Sequence, residues 1–194
     1  MQSYIKEQII ASYEAKVALQ EDEKLIDTIA NLAKRCVDGY RDGAKTILAG
    51  NGGSAADAQH IAAELVGRYG FDRDSIPSLA LTTDTSNLTA IANDYGYEAV
   101  FSRQLQGMGC SGDIFIAIST SGNSKNLVNA IDVAKQKGIF SVALCGKDGG
   151  EMAKIADMAI VVPSDSTPRI QESHILIGHI LCDIIEKELF GSGI

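Results

Sequence analysis

The chain has 194 residues, 45% of them hydrophobic and 22% charged, which suits a folded domain with a sizeable core rather than a disordered segment. Its formal charge of -8, from 25 acidic against 17 basic residues, disfavours nonspecific nucleic-acid or anionic-membrane binding. No apolar run is long enough to cross a bilayer, the N-terminus Met1–Glu7 is amphipathic and does not resemble a signal peptide, and Cys36, Cys110, Cys145 and Cys182 are too scattered for a cysteine zinc site, so the expectation is a cytoplasmic protein with free thiols.

Apolar residues Ile5, Ile9, Ile10, Tyr13, Val17 and Leu19 follow helical spacing over residues 3–20. Leu25, Ile26, Ile29, Leu32, Ala33 and Val37 do the same over 24–40. These helices make an N-terminal pair, residues 1–43, whose apolar faces require a partner in the core or in another subunit. Residues 44–194 are expected to form an α/β core with the terminal helix. A strand over 46–49 enters a glycine turn, and a helix runs on to about residue 69. A polar loop, 70–77, precedes a short buried strand, 78–81. Residues 82–86 cap a helix through Ala92, which Asn93-Asp94-Tyr95-Gly96 breaks, and a further helix covers about 99–106. The run Asp113–Ile118 is continuously apolar after its first residue, as in a parallel strand buried on both faces. A hydroxyl-rich loop, 119–124, leads to a helix over 125–137 and a strand over 140–144. After a turn at 146–150 come a short helix, 152–156, a strand, 158–162, a polar loop, 164–167, and a long helix, 168–190. This alternation predicts an α/β fold: an open parallel five-stranded sheet flanked by helices. In such sheets ligands bind beyond the carboxyl ends of the strands, at a switch point.

Two loops fall on that edge. Gly50-Asn51-Gly52-Gly53-Ser54 joins a strand to a helix start, where backbone N–H groups and the helix dipole favour an anion, with Ser54 available as a cap. A plain strand-to-helix turn has the same composition. Ser119-Thr120-Ser121-Gly122-Asn123-Ser124 sets four hydroxyls at another helix start, more than a cap requires, and suits a phosphate monoester. Neither stretch is a dinucleotide or nucleoside-triphosphate motif.

His60 and Glu64 lie one turn apart on one helix face, about 40° from each other, and can hold a metal, move a proton or simply hydrogen-bond. On the last helix, Gln171 and His179 differ by about 80° and by about 12 Å along the axis, so they share a ligand only if it sits between them. His174 and His179 differ by about 140° and do not easily serve one site. His179 is expected to be the more enclosed of the two, beside Gly178, and a satisfied core histidine accounts for it equally well. His174 is expected to be structural or partly exposed.

Taken together, Gly50–Ser54 with His60 and Glu64, the Asn93-Asp94 break, Ser119–Ser124, and Arg169-Ile170-Gln171-Glu172 followed by His179 resemble the bacterial phosphoheptose isomerases, single sugar-isomerase (SIS) domain proteins. The resemblance spans nearly the whole chain. It implies conversion of sedoheptulose 7-phosphate to D-glycero-D-manno-heptose 7-phosphate through an enediol, an early step toward surface glycans such as lipopolysaccharide. It implies a homotetramer with sites between subunits and one zinc ion per subunit on His60, Glu64, Gln171 and His179. It places substrate contacts at Asn51, Gly52, Gly53, Ser54, Glu64, Asn93, Asp94, Ser119, Thr120, Ser121, Ser124 and Gln171. Glu64 is the better base and His179 the better acid; a carboxylate bound to zinc is a weaker base, so both roles for Glu64 stay open. Other single-SIS-domain proteins act as tetrameric scaffolds for the replication initiator protein, and they have no need of the quartet His60, Glu64, Gln171 and His179.

Overall fold

The computed structural model describes residues 1–191; the end of the expected core segment, 192–194, lies outside the described residues. Helices α1 (Gln2–Glu21) and α2 (Glu23–Arg41) form the N-terminal pair. The Asp22 carboxylate accepts from the Leu25 N–H (3.0 Å) and starts α2 immediately after the turn. Helix α2 buries Leu25, Ile29, Leu32, Cys36 and Val37, one stripe at helical spacing. Helix α1 buries only Ala15 and Leu19 and leaves Tyr4, Ile5, Ile9, Ile10 and Tyr13 exposed. The apolar face of its first half therefore finds no partner in the core of its own chain.

Strands β1 (Thr46–Gly50), β2 (Ser78–Ala80), β3 (Ile114–Ser119), β4 (Phe140–Gly146) and β5 (Met158–Val162) make one sheet in the order β2-β1-β3-β4-β5, parallel throughout. Leu48 of β1 pairs with Ala80 of β2 on one side and Ile116 of β3 on the other. Helices α3 (Gly53–Val66), α4 (Thr85–Tyr95), α5 (Val100–Met108), α6 (Lys125–Lys137), α7 (Gly150–Ile155) and α8 (Thr167–Phe190) complete the chain. The sheet is covered on both faces. Ile114, Ile116 and Ile118 pack toward α2, α3 and α8. Phe115 and Ala117, alternating with them, pack toward α5, α6 and α7. That burial is why β3 is apolar at every position rather than at every second one.

Chain reversal at β1 places the switch point between β1 and β3, whose carboxyl ends carry the two expected ligand loops side by side. Cys36, Cys145 and Cys182 are buried, and burial pushes each thiol up to about 12; Cys110, in the turn between α5 and β3, is exposed. Among the described residues no helix is long and apolar enough to cross a membrane.

Candidate active site

Glycine makes the first loop possible. Gly52, at φ 57° and ψ -121°, holds a conformation that side chains disfavour, and it turns the chain from β1 into α3. Gly52 is the N-cap, with no side-chain cap bond. Ser54, expected as a cap, is instead buried in the first turn, its N–H bonded to the Asn51 carbonyl at 3.0 Å. The cap falls to Gly52 because α3 already begins at Gly53, which puts Ser54 inside its first turn.

The second loop behaves similarly. Ser124 is the N-cap of α6, but its hydroxyl lies 2.9 Å from the Ser119 hydroxyl and does not cap the helix. Ser119 and Ser121 are 3.4 Å apart at Oγ. Helices α3 and α6 thus both open without side-chain caps, whereas Asp22 and Asp84 cap α2 and α4. Uncapped N–H groups with a helix dipole behind them favour a phosphate. The two loops are clasped together. Asn51 and Asn126 exchange amide hydrogen bonds (3.0 and 2.9 Å), and the Tyr97 hydroxyl donates to Asn51 Oδ1 (2.9 Å). Between them lies a pocket of about 220 Å³ lined by Asn51, Tyr97, Ser124 and Asn126 among others.

A second group forms where α3 and α8 lie side by side. His60 Nε2 is 3.1 Å from Glu64 Oε1 and 3.4 Å from His179 Nε2, and the three donor atoms all lie within 4.8 Å of one another. One imidazole nitrogen carries one proton at most, so it cannot satisfy both neighbours at once when neutral. Three electron-pair donors on one point, with an open side toward solvent, match the donor set of a catalytic zinc site. Asp57, one turn before His60, adds negative charge: its Oδ2 is buried without a hydrogen-bond partner, and burial, partly offset by His60, pushes the carboxyl up to about 6. The residues therefore fit a divalent cation.

Two expectations change here. His179 is half-buried and faces His60, while His174 is the enclosed histidine, 0% exposed, with Nε2 3.0 Å from the Cys145 carbonyl. Helical periodicity orders residues around α8 but does not reveal that α3, not the sheet, covers the His179 side. Asn93 and Asp94 do not break α4; they sit in its last turn, exposed, with Asn93 Nδ2 donating to Asp94 Oδ1 (2.8 Å), and Gly96 ends the helix at φ 85°. Within one chain they make no contact with either loop among the hydrogen bonds of the described residues. Gln171 packs on Gly53: a Cβ there would lie 2.5 Å from Gln171 Nε2. That places it at the loop end of α3, away from the two histidines. Sequence reasoning passed over Asp57, legible only as an i,i+3 neighbour of His60, and Tyr69, whose ring centroid lies 5.8 Å from that of His179.

His174 has a consequence for stability. Burial lowers its pKa from 6.5 to about 4, despite the opposing bond to Cys145, so the folded state keeps it neutral while the unfolded state takes a proton. Its contribution is complete above pH 6.5 and is lost as pH falls toward 4. His174→Gln, whose amide reaches the same carbonyl, should lack this loss. The stability gap between wild type and variant, measured by denaturant titration, should shift by about 3 kcal/mol against the wild type between pH 7 and pH 4.

The SIS domain family model matches residues 12–146. Over 194 residues, all of both chains, the sequence is 74% identical to the phosphoheptose isomerase of Sulfurimonas denitrificans. It is 57% identical to that of Aneurinibacillus thermoaerophilus, covering 98% of this chain and 96% of that one. A solved phosphoheptose isomerase from Neisseria gonorrhoeae superposes with a TM-score of 0.90 at 40% identity, covering 96% of this chain and 98% of that one.

Proposed function

Because the chain belongs to the SIS-domain family and, within it, to the phosphoheptose isomerases, we propose that it interconverts sedoheptulose 7-phosphate and D-glycero-D-manno-heptose 7-phosphate. The observation that carries this reading is the convergence of His60, Glu64 and His179 in one chain. A scaffold has no use for such a convergence.

Aldose–ketose exchange moves a proton between C1 and C2. Glu64 takes the proton from C1 while His179 gives one to the C2 oxygen, forming the cis-enediol; Glu64 then returns its proton to C2 as the C1 hydroxyl gives its proton back to His179. General acid–base catalysis of this kind supplies roughly 10²–10⁴-fold. Ser119, Thr120, Ser121 and Ser124, with the Asn51–Ser54 turn, grip the phosphate and orient the reacting end. Asn93 and Asp94 complete the hold on the sugar. His60, Glu64 and His179 would hold a zinc ion, which would supply a Lewis acid for the carbonyl oxygen, with Glu64 the weaker base while bound to it.

Gln171 precedes His179 by eight residues on the same helix, about 12 Å along its axis, and lies against Gly53. A single ion held by His179 therefore takes its glutamine from a second copy of the chain, which supports sites shared between subunits. The exposed apolar face of α1 supports the accompanying homotetramer. The reading includes a cytoplasmic location.

Proton NMR of zinc-loaded protein with sedoheptulose 7-phosphate in D₂O tests this directly. Aldoheptose signals with deuterium entering at the exchanging carbon are expected; a folded oligomer giving neither would overturn the reading in favour of a scaffold. Ser124→Ala should raise KM for the sugar phosphate about 10-fold or more, the scale of one hydrogen bond to a charged group, with kcat little changed. A steady-state titration showing the opposite split would move Ser124 from the grip to the chemistry.

A further inference from the structure

Glu186 lies on α8 two turns beyond His179. Its side chain is 1% exposed, and four donors converge on it: the N–H groups of Tyr69 (2.8 Å), Gly70 (2.6 Å) and Phe71 (3.2 Å), and Arg73 Nε (2.9 Å). Burial alone would raise this carboxyl, but the three N–H bonds and the guanidinium outweigh it and hold the group below the usual carboxylate range. Arg73, itself 2% exposed, turns its remaining donors onto the C-terminal end of α3 and its exit. Nη2 donates to the Glu64 carbonyl (2.9 Å), and Nη1 donates to the carbonyls of Gly67 (3.1 Å) and Asp74 (2.9 Å). The pair therefore ties α8 to the backbone of Glu64 itself. The same loop carries Tyr69, whose ring leans on His179.

Stability alone does not account for such a pair, since apolar residues of similar volume serve a core as well or better than a buried ion pair. Geometry does. Nearer the histidines, α3 meets α8 through Gly178, where a Cβ would lie 2.5 Å from Ile61 Cδ1. That contact brings the helices close but has no side chain at Gly178 to stop one sliding along the other. A fixed fork of guanidinium donors against a four-donor carboxylate provides the stop.

We propose that Arg73 and Glu186 are positioning residues that set the registry of α3 on α8 and so hold His60 and Glu64 against His179. This rests on the reading of those three residues as the reacting end, where a displacement of about 1 Å costs on the order of 100-fold.

Arg73→Lys keeps the charge but loses the fork, and Glu186→Gln keeps the shape but loses the charge. Each is made in the full chain and studied at a temperature where circular dichroism shows it folded. Zinc affinity, titrated against a chromogenic chelator, and kcat with sedoheptulose 7-phosphate should each fall about 10–100-fold. KM should stay within about twofold, because the phosphate loops hang on β1 and β3. Variants that melt earlier yet keep wild-type zinc affinity and kcat would overturn the proposal, as would failure of both to fold with zinc present. A wild type that binds zinc but turns over no substrate would sink the isomerase reading, while the zinc titration still decides the registry.

Discussion

Glu64→Gln should lower kcat by about 10³-fold or more while leaving fold and assembly unchanged. The amide matches the carboxylate in shape and retains an oxygen for His60, 3.1 Å away in the parent. What it loses is the negative charge, and with it the ability to accept a proton from carbon and to hold a cation as tightly. Glu64 is half-buried on an exposed face of α3, and its side chain supports no core contact whose loss would unfold the chain. Rates from the NMR assay, with circular dichroism and gel filtration on the same samples, separate chemistry from folding. More than about a tenth of wild-type turnover in a folded variant would exclude Glu64 as the base, since general-base removal costs at least about 10²-fold.

Gly122→Ala should damage both stability and substrate grip. Gly122 sits at φ 65°, and a Cβ there would lie 1.9 Å from the Gly149 carbonyl oxygen and 2.5 Å from its carbon. The contact is backbone against backbone, so no side chain can swing aside. Neither partner is free to retreat: Met152 N–H donates to the Gly122 carbonyl (2.9 Å), and Glu151 N–H donates to Asn123 Oδ1 (3.0 Å). The turn after β4 thus buttresses the loop that carries Ser119 through Ser124. The left-handed conformation costs alanine about 1–2 kcal/mol, and relieving the overlap requires parting the turn from the loop. A total loss of about 3–5 kcal/mol is expected by denaturant titration, with KM raised at least about 10-fold in the folded fraction. Wild-type stability and KM would show that the loop stands without its buttress.

Strands, loops and the two helix starts after β1 and β3 were legible because each is a local pattern: an apolar run, a glycine or serine cluster, then helical spacing. The parallel order followed from the alternation. The enclosure of the two histidines on α8 was not legible. Angular positions of His174 and His179 follow from the sequence, but which side meets the sheet depends on α3 running alongside α8. Asn93 and Asp94 were misplaced by the general turn preference of their types; the helix ends two residues later, where Gly96 allows positive φ. Arg73 and Glu186 are separated by 113 residues, and no short-range signal joins them.

The thiols make the chain convenient to label. Cys36, Cys145 and Cys182 are sealed in the core, and Cys110 alone of the four stands in solvent, at the sheet edge where strands enter, opposite the edge where the ligand loops lie. A maleimide dye should couple to the unaltered protein once per chain at that point. Donor- and acceptor-labelled copies mixed in equal amounts would then report by energy transfer whether copies of the chain associate, from the native sequence with no engineered cysteine.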